Sequence, residues 1–271
     1  LTLFEKRVEA SDLPWFLGLM QHLSGKGMTC PLPVAGRDGN ALRSLADRPA
    51  AITTFLPGRA IPEITAESCR QLGQVLATFH EKGRDYTTER PNGLSVQAWR
   101  PLLESCQGAG DDLLPGLTQE LVQALDRIEK AWPAEGTLPR GQIHADLFPD
   151  NVFFQDGRIS GLIDFYFACT DLFAYDLAIC LNAWCFRDEK VFEPSFAQAM
   201  IDGYETVRPL EVAEKAVLPV LCQGASIRFL LTRLYDWINT PADALVTRKD
   251  PLAYLGRLRH FAEYAAGHAN V

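Results

Sequence analysis

Residues 141–165 read Gly-Gln-Ile-His-Ala-Asp-Leu-Phe-Pro-Asp-Asn-Val-Phe-Phe-Gln-Asp-Gly-Arg-Ile-Ser-Gly-Leu-Ile-Asp-Phe. The first part is a tight loop that carries a carboxylate, Asp146, and a carboxamide, Asn151, on short side chains. The second part predicts a β-hairpin, because two apolar runs flank Asp156-Gly157, a dipeptide typical of two-residue turns. The hairpin returns Asp164 to the side of Asn151, so we expect the three polar side chains to converge.

Three convergent oxygen-bearing side chains suit phosphoryl transfer. Mg²⁺ prefers hard oxygen ligands and keeps several waters, so one carboxylate, one amide oxygen and the phosphates of a nucleotide make a suitable shell. A separate carboxylate then takes or orients the proton of the attacking hydroxyl, since positioning and charge neutralisation carry most of the catalysis. The sequence therefore predicts ATP and Mg²⁺ as cofactors, Asp146 as the base, and Asn151 and Asp164 as metal ligands.

The order His-x-Asp-(x)4-Asn followed by Ile-Asp-Phe resembles the catalytic loop and the metal-binding Asp of the protein-kinase-like fold. The form of residues 144–151 is similar to the aminoglycoside phosphotransferase and choline kinase branch of that fold. Gly73-x-x-Leu76-Ala77-x-Phe79-His80 resembles the first C-lobe helix of the branch, and Tyr175-Asp176-Leu177-Ala178 resembles a segment whose Asp supports the loop. The resemblance implies that Asp176 supports the loop without touching substrate, and we expect His144 to brace the same loop.

Several flanking segments resemble the bacterial homoserine kinases of this fold, namely residues 92–95, 99–102, 144–154, 163–172 and 178–186. This resemblance covers nearly the whole chain and implies an α+β, two-lobed protein-kinase-like fold. It also implies transfer of the ATP γ-phosphate to the hydroxyl of L-homoserine, giving O-phospho-L-homoserine for threonine biosynthesis. Two alternatives stay open: a kinase of the same branch acting on choline, an aminoglycoside or a thiosugar, and a non-catalytic kinase-like module.

The acceptor site of a homoserine kinase must hold a zwitterion, so it needs a cation for the carboxylate. Arg228 and Arg233 lie in a largely apolar segment, where a buried guanidinium needs a carboxylate from the protein or from a ligand. Either arginine is a candidate for the substrate clamp. The alternative is an internal ion pair with Asp176 or Asp236.

Three further residues are candidates for the acceptor site. Tyr166 follows the metal-site segment directly, and Trp184 is expected to wall the same pocket. Asp171 either touches substrate or caps the helix that follows it. The adenine of ATP is expected at residues 54–56, that is at Thr54, Phe55 and Leu56, where backbone groups can serve the purine edge.

Residues 1–56 are predicted to form a small N-lobe, and residues 57–271 a mainly helical C-lobe that begins at Pro57-Gly58. In the first part we expect a helix N-capped by Asp12 and ended by Gly25 and Gly27. Residues 31–35 and 40–45 predict an antiparallel pair, and residues 50–56 a further strand.

The C-lobe is expected to carry helices from Thr65 to His80 and over residues 116–132, 176–186, 194–204, 211–239 and 251–266, with a possible break at Pro219. Leu1-Thr2-Leu3-Phe4 resembles the third strand of the kinase-like fold. We therefore expect the two preceding strands and the glycine-rich phosphate loop to be absent from this chain, which is then a fragment of a longer protein or is numbered from after removed residues. If the 271 residues are the whole molecule, we expect nucleotide binding to be weak. The usual phosphate-contacting Lys falls near Thr2, so Lys6 or Arg7 is expected to supply that charge.

The composition of the chain indicates its cellular location and the kinds of partner it binds. The 271 residues carry 26 basic and 34 acidic side chains, a net charge of −8, which argues against nucleic acid as a partner. The most apolar stretch, residues 216–231, is polar at three positions and shorter than the roughly 20 residues of a bilayer span, so we expect no membrane partner. Seven cysteines without CxxC spacing are typical of reduced thiols. We therefore expect a cytoplasmic monomer or homodimer.

Overall fold

The computed structural model describes residues 1–4, 9–240 and 248–268. Its contacts divide the chain into two compact units. Unit 1 contains Leu1–Pro91, Arg140–Trp184 and Pro194–Pro209; unit 2 contains Asn92–Pro139, Cys185–Glu193 and Leu210–Val271. The boundary between an N-lobe and a C-lobe at residue 56 stays a prediction.

The described residues form short antiparallel strands and longer helices. The strands are β1 (Thr2–Leu3), β2 (Leu42–Leu45), β3 (Arg48–Ala51), β4 (Arg140–Ile143), β5 (Val152–Gln155), β6 (Arg158–Leu162), β7 (Cys169–Leu172), β8 (Phe186–Arg187) and β9 (Val191–Phe192). The helices are α1 (Leu13–Gly25), α2 (Ala66–Gly83), α3 (Val96–Ser105), α4 (Gly110–Leu113), α5 (Leu117–Ala131), α6 (Phe173–Trp184), α7 (Pro194–Glu205), α8 (Val212–Asn239) and α9 (Leu252–His268).

A three-stranded antiparallel sheet in the order β1-β3-β2 opens unit 1. The predicted pairing of residues 31–35 with residues 40–45 is wrong, because β2 pairs with β3 instead. The turn between them is Ala46-Asp47, and both residues adopt positive φ, at 50° and 58°. That conformation joins strands tightly, but Ala-Asp lacks the Asn-Gly or Asp-Gly signature that would have revealed it.

Residues 32–34 pair instead with the segment after β3. The N–H of Val34 donates to the carbonyl of Ile52 at 2.8 Å, and the N–H of Thr54 donates to the carbonyl of Leu32 at 2.9 Å. The strand predicted over residues 50–56 therefore begins at Arg48 and ends at Ala51, and beyond it the pairing is an isolated bridge between Pro33 and Thr53.

Helix α1 begins and ends as predicted, but Asp12 does not cap it with its side chain. The Asp12 carboxylate accepts instead from Arg90 Nε at 2.7 Å. A guanidinium is a stronger partner for a carboxylate than a backbone N–H, which explains the exchange. The guanidinium of Arg90 also lies 4.7 Å above the ring of Phe16, a buried residue of α1.

Helix α2 is the centre of unit 1. Thr65 begins it with a reciprocal capping box to Ser68, as the sequence predicts. Leu72, Leu76 and Phe79 are fully buried on its inner face. α2 and α7 approach very closely, since a methyl group on Gly73 would lie 2.0 Å from the carbonyl oxygen of Met200.

Unit 2 is mainly helical, with α8 packed against α3, α5 and α9. α8 runs unbroken through Pro219, so the possible break there is not observed. By length and composition α8 is the described helix that could cross a bilayer, yet 67% of its apolar window is buried inside the protein. All seven cysteines are buried, free thiols, which agrees with the expectation from their spacing.

Candidate active site

The loop after β4 is folded by a short hydrogen-bond network around Asp146. The N–H of Phe148 donates to the Asp146 carbonyl at 2.8 Å, and residues Pro149–Asn151 then form one turn of 3-10 helix. The Asn151 side chain folds back, so that Nδ2 donates to the Asp146 carbonyl at 2.8 Å and to carboxylate Oδ2 at 3.2 Å. The amide nitrogen of Asn151 therefore donates to Asp146, and the amide oxygen Oδ1 is the atom that can act as an acceptor.

The predicted hairpin of β5 and β6 is present, with its turn at Asp156-Gly157. Val152 pairs with Leu162, and one residue further out the N–H of Ile163 donates to the carbonyl of Asn151 at 3.0 Å. Asp164, the next residue, is exposed and adopts a left-handed conformation with φ 62° and ψ 66°. The structure thus brings Asn151 against Asp146 on one side and against the strand end that carries Asp164 on the other.

Asp176, on α6, is fully buried directly beneath the loop. Its carboxylate accepts from the backbone N–H of His144 and of Ala145, each at 2.8 Å, and is hydrogen-bonded to His80 Nε2 at 3.1 Å. Burial alone would raise the pKa of Asp176, but the bond to His80 and the neighbouring charges outweigh it and hold the pKa below its usual value. An ionised Asp176 therefore holds a backbone that turns through positive φ at Ala145, where φ is 62°.

His144 is buried as a neutral side chain. Its Nε2 is hydrogen-bonded to the carbonyl of Ile163 at 3.0 Å, which ties the loop to the end of β6. Burial lowers the pKa of His144, although the charges of Asp176 and Asp164 oppose the shift. The structure gives the buried Nδ1 atom no partner among the described residues, as suits a neutral ring.

Behind Asp176 the hydrogen bonds continue outward through side chains that sequence reasoning left unassigned. His80 Nδ1 and the Tyr204 hydroxyl are hydrogen-bonded at 2.7 Å, and Arg208 Nη1 donates to that hydroxyl at 3.2 Å. Arg208 Nε lies 3.9 Å from Glu81 at the edge of the network. The sequence signal was limited to His80 on the helix before the loop, because Tyr204 lies 124 positions further along the chain.

The segment proposed for adenine lies along the hairpin. The carbonyl of Pro57 accepts from the Ser160 hydroxyl at 2.9 Å, and Arg59 forms an antiparallel bridge with Phe154. Leu56 is buried, whereas Phe55 is 89% exposed and Thr54 is exposed. Lys6 and Arg7, expected to supply phosphate charge, lie outside the described residues.

The three acceptor candidates of unit 1 lie in different settings. Tyr166 is half-buried, with Phe4 and Phe16 packed edge-on at 5.0 and 5.7 Å, and burial raises the pKa of its hydroxyl. Asp171 lies on β7, and its carboxylate accepts from the N–H of Leu172 at 2.8 Å. Trp184 is fully buried at the end of α6, where its indole N–H donates to the carbonyl of Leu147 at 2.7 Å.

The two candidate arginines lie in unit 2. Arg228 is 2% exposed and stacks 4.6 Å above the ring of Phe229. Arg233 is 9% exposed, donates to the carbonyl of Asp250 at 3.0 Å and lies 3.7 Å from the carboxylate of Glu189. Glu189 is thus a carboxylate partner that sequence reasoning missed in favour of Asp176 and Asp236.

Comparison with known proteins identifies the family. The profile of the phosphotransferase enzyme family matches residues 1–210, which is more than half of the chain. The chain belongs to the phosphotransferase enzyme family. The prediction of a phosphate-transferring enzyme is confirmed at that level.

Curated proteins of known name resemble the chain over most of its length. A homoserine kinase from Gluconobacter oxydans is 72% identical over 261 residues, covering 96% of this chain and 83% of that protein. Homoserine kinases from Gluconacetobacter diazotrophicus and Acidiphilium cryptum are each 61% identical over 259 residues, covering 96% of this chain and 81% of each relative. The predicted resemblance to the bacterial homoserine kinases is confirmed.

Solved phosphotransferases share the fold. An aminoglycoside phosphotransferase from Alicyclobacillus acidocaldarius superposes with a TM-score of 0.65 at 19% identity, covering 96% of this chain and 82% of that protein. The amicoumacin kinase hAmiN, solved with AMP-PNP, Ca²⁺ and Ami, gives a TM-score of 0.67 at 16% identity, covering 97% of this chain and 79% of that protein. These likenesses confirm the predicted α+β, two-lobed protein-kinase-like fold class.

In residues 1–4, 9–240 and 248–268, no group of three or more His, Cys, Asp or Glu side chains could hold a metal ion by itself. A family member that uses a metal must therefore complete the shell with other oxygens, such as the Asn151 amide or nucleotide phosphates.

Proposed function

We propose that this chain transfers the γ-phosphate of ATP to the side-chain hydroxyl of L-homoserine, giving O-phospho-L-homoserine. The observation that carries the mechanism is the Asn151 side chain, which binds Asp146 through Nδ2 while its backbone carbonyl binds the strand end before Asp164. The names of the curated relatives, at 61–72% identity over nearly the whole chain, support the acceptor.

Asp146 is proposed as the base that takes or orients the proton of the acceptor hydroxyl. Its carboxylate is half-buried, and the Asn151 amide fixes one of its oxygens. The backbone on either side is held by Asp176 at Ala145 and by the Phe148 N–H at Asp146 itself. A base held in this way needs little rearrangement before the hydroxyl attacks phosphorus in line with the leaving oxygen.

Asn151 and Asp164 are proposed as the protein ligands of Mg²⁺. Because Nδ2 of Asn151 donates to Asp146, its Oδ1 offers a neutral hard oxygen, and the exposed Asp164 adds a charged one. The two residues are joined through the hydrogen bond from Ile163 to Asn151. Bound there with the nucleotide, Mg²⁺ would neutralise charge on the phosphates.

ATP is proposed to place its adenine at residues 54–56, with the phosphates toward the hairpin. The hydrogen bonds of Pro57 and Arg59 to the hairpin support this placement, because they tie the segment to the strands that carry Asn151 and Asp164. The exposed ring of Phe55 offers an apolar face to a purine.

Tyr166 and Asp171 stay proposals for the acceptor side. For Trp184 we propose a different role, which is to position the loop. Its indole N–H donates to the carbonyl of Leu147, one residue after Asp146. The absence of nucleic-acid and membrane partners, the monomeric or dimeric state and the cytoplasmic location likewise stay predictions.

An acceptor panel tests the proposed function. The protein is assayed with Mg-ATP and L-homoserine, choline, methylthioribose or kanamycin, and kcat/KM is compared between acceptors. We expect kcat/KM for L-homoserine to exceed that for each of the other acceptors by at least about a hundredfold. Each of the others lacks one of the charged groups or the shape that the site requires. Preference for another acceptor would assign the chain to a different kinase of this family, and turnover of none would favour a non-catalytic module.

A further inference from the structure

The β8–β9 hairpin of unit 2 carries Glu189 to two buried guanidinium groups. Glu189 Oε1 lies 3.7 Å from Nη2 of Arg233 on α8 and 3.9 Å from Nη2 of Arg257 on α9. The Glu189 side chain is 56% exposed, whereas those of Arg233 and Arg257 are only 10% and 3% exposed. The surface carboxylate of Glu189 therefore faces a pair of cations that lie inside the protein.

Aromatic rings hold both guanidinium groups in place. Arg233 and Arg257 lie 4.6 and 4.2 Å from the ring centre of Tyr254, and Arg257 also lies 5.2 Å from that of Phe186. Arg233 Nη1 donates to the carbonyl of Asp250 at 3.0 Å, and this bond fixes the plane of the guanidinium. Because stacked, planar groups are already oriented, a carboxylate that binds them loses little side-chain freedom in the arginines.

The contacts of Glu189 with these arginines are longer than hydrogen bonds. Charge-assisted N–H···O contacts between arginine and carboxylate are about 2.7–2.9 Å long, so separations of 3.7 and 3.9 Å give charge neutralisation without direct bonding. Burial lowers the pKa of Arg257, and Arg233 lowers it further, while Tyr254 and Glu189 oppose the shift. A carboxylate that came closer would stabilise both charged groups more than Glu189 does.

The hairpin loop that presents Glu189 is strained. Asp188 and Glu189 are both non-glycine residues with positive φ, at 50° and 60°. Such residues persist where the surroundings hold them, and they often mark ligand-binding segments. At the base of the loop, Arg187 Nη2 lies 2.9 Å from the carboxylate of Glu193.

We propose that Arg233 and Arg257 form a binding site for the carboxylate of a small α-amino acid, and that Glu189 covers this site until the ligand displaces it. The choice of an amino acid rests on the proposed function, whose acceptor carries such a carboxylate. The site is assigned to Arg233 and Arg257 rather than to Arg228, because the carboxylate of Glu189 lies beside the guanidinium groups of those two residues. The ligand is either the acceptor itself or a second amino acid that acts as an effector.

Equilibrium titration followed by NMR tests the site without requiring turnover. The probes are L-2-aminobutyrate, which has the carboxylate but no hydroxyl to phosphorylate, and L-2-aminobutanamide, in which an uncharged amide replaces it. We expect the amide to bind the wild type at least about tenfold more weakly, the scale of a lost charge-assisted bond. Arg257→Lys should weaken L-2-aminobutyrate by a similar factor, because an ammonium cannot bind both oxygens side by side.

Glu189→Gln should change the affinity for L-2-aminobutyrate in the opposite direction. A purely structural ion pair would not give this result. Removal of the internal carboxylate should tighten L-2-aminobutyrate binding by about three- to tenfold, since the ligand no longer competes with Glu189. Glu189 is exposed, so this variant keeps the test usable if Arg257→Lys fails to fold. The matched control is Arg259→Lys, at a residue of α9 whose guanidinium pairs with Glu120 of α5; it should not change the dissociation constant.

Inhibition kinetics then separate the two sources of the carboxylate. Competition between L-2-aminobutyrate and L-homoserine supports the site as that of the acceptor, and a non-competitive pattern supports it as that of an effector. Equal binding of acid and amide by the wild type, no binding of either, or a dissociation constant unchanged by Glu189→Gln would overturn the site. Failure of the wild type to phosphorylate L-homoserine would remove the proposed function but leave the titration result intact.

Discussion

The carboxylate of Asp176 accepts a hydrogen bond from the backbone N–H of His144 at 2.8 Å, although the two residues lie 32 positions apart. The same carboxylate binds the next N–H along, at Ala145, and the imidazole of His80. A buried anion therefore sets the backbone immediately before Asp146. Because Asp176 fixes the loop from behind, the backbone that leads into Asp146 is held in place.

Replacement of Asp176 by Asn should lower the free energy of unfolding by about 3 kcal/mol at pH 7, because the amide nitrogen would face N–H donors in a buried site. Urea unfolding measures the change, and Asp202→Asn, exposed on α7, is the control. The low pKa of Asp176 means that its stabilising effect is present above its unfolded pKa of about 3.9 and is lost as pH falls through the folded value. The variant and wild type should therefore converge in strong acid; equal stability at pH 7 would contradict the role of Asp176.

His144 should make the protein less stable as pH falls below neutrality. The unfolded residue binds a proton near pH 6.5, whereas the buried ring has a lowered pKa and stays neutral, so acidification through this range favours the unfolded state. The slope from one such group is at most about 1.4 kcal/mol per pH unit. His144→Gln should flatten the fall in unfolding free energy between about pH 7 and pH 5, and an equally steep fall in the variant would contradict a neutral, buried His144.

Gly73 tests the close packing of α2 and α7. A methyl group there would lie 2.0 Å from the carbonyl of Met200 and 2.7 Å from the backbone nitrogen of Tyr204, so Gly73→Ala must push two backbones apart. We expect a loss of about 1–3 kcal/mol in thermal or urea unfolding. Gly256→Ala, at an exposed position of α9 with open space around it, should instead gain about 0.5–1 kcal/mol. A neutral Gly73→Ala would show that the helices can separate at no cost.

Asp164→Asn should separate metal binding from folding. Asn tolerates the left-handed conformation of this position about as well as Asp, so the unfolding free energy should stay within about 0.5 kcal/mol of the wild type. The Mg²⁺ concentration for half-maximal ATP-dependent activity should rise at least about tenfold, because one charged ligand is lost. Asp156→Asn, also left-handed but at the hairpin turn, is the matched control. An unchanged Mg²⁺ requirement in Asp164→Asn would remove Asp164 from the metal site.

Local signals explain what the sequence could predict. The hairpin after Asn151 followed from apolar runs around Asp156-Gly157, and the start of α2 followed from the Thr65 cap, because each depends on residues close in the chain. Helix α3 was not predicted, since Pro101 lies inside it and interrupts the helical pattern. The Ala46-Asp47 turn was missed for the same kind of reason, and a wrong strand pairing resulted.

Contacts between distant segments account for the rest. β4 pairs with β7 across the whole β5–β6 hairpin, and nothing in either short strand indicates the other as its partner. The bond of Tyr204 to His80 spans 124 positions, and Glu189 reaches Arg233 from a separate hairpin. The sequence could suggest residue types for the proposed site because the chemistry calls for them, whereas the side chains that support them depend on packing.

The central claim is phosphoryl transfer to L-homoserine with Asp146 as the base. The most direct measurement is phosphorus-31 NMR of the product formed from Mg-ATP and L-homoserine by the wild type, by Asp146→Asn and by the control Asp150→Asn, an exposed carboxylate of the same loop. We expect O-phospho-L-homoserine from the wild type and from the control, and a rate lower by about 10²- to 10⁴-fold in Asp146→Asn, the usual contribution of a general base. Wild-type rates in Asp146→Asn, or no phosphorylated homoserine from the wild-type protein, would contradict the account.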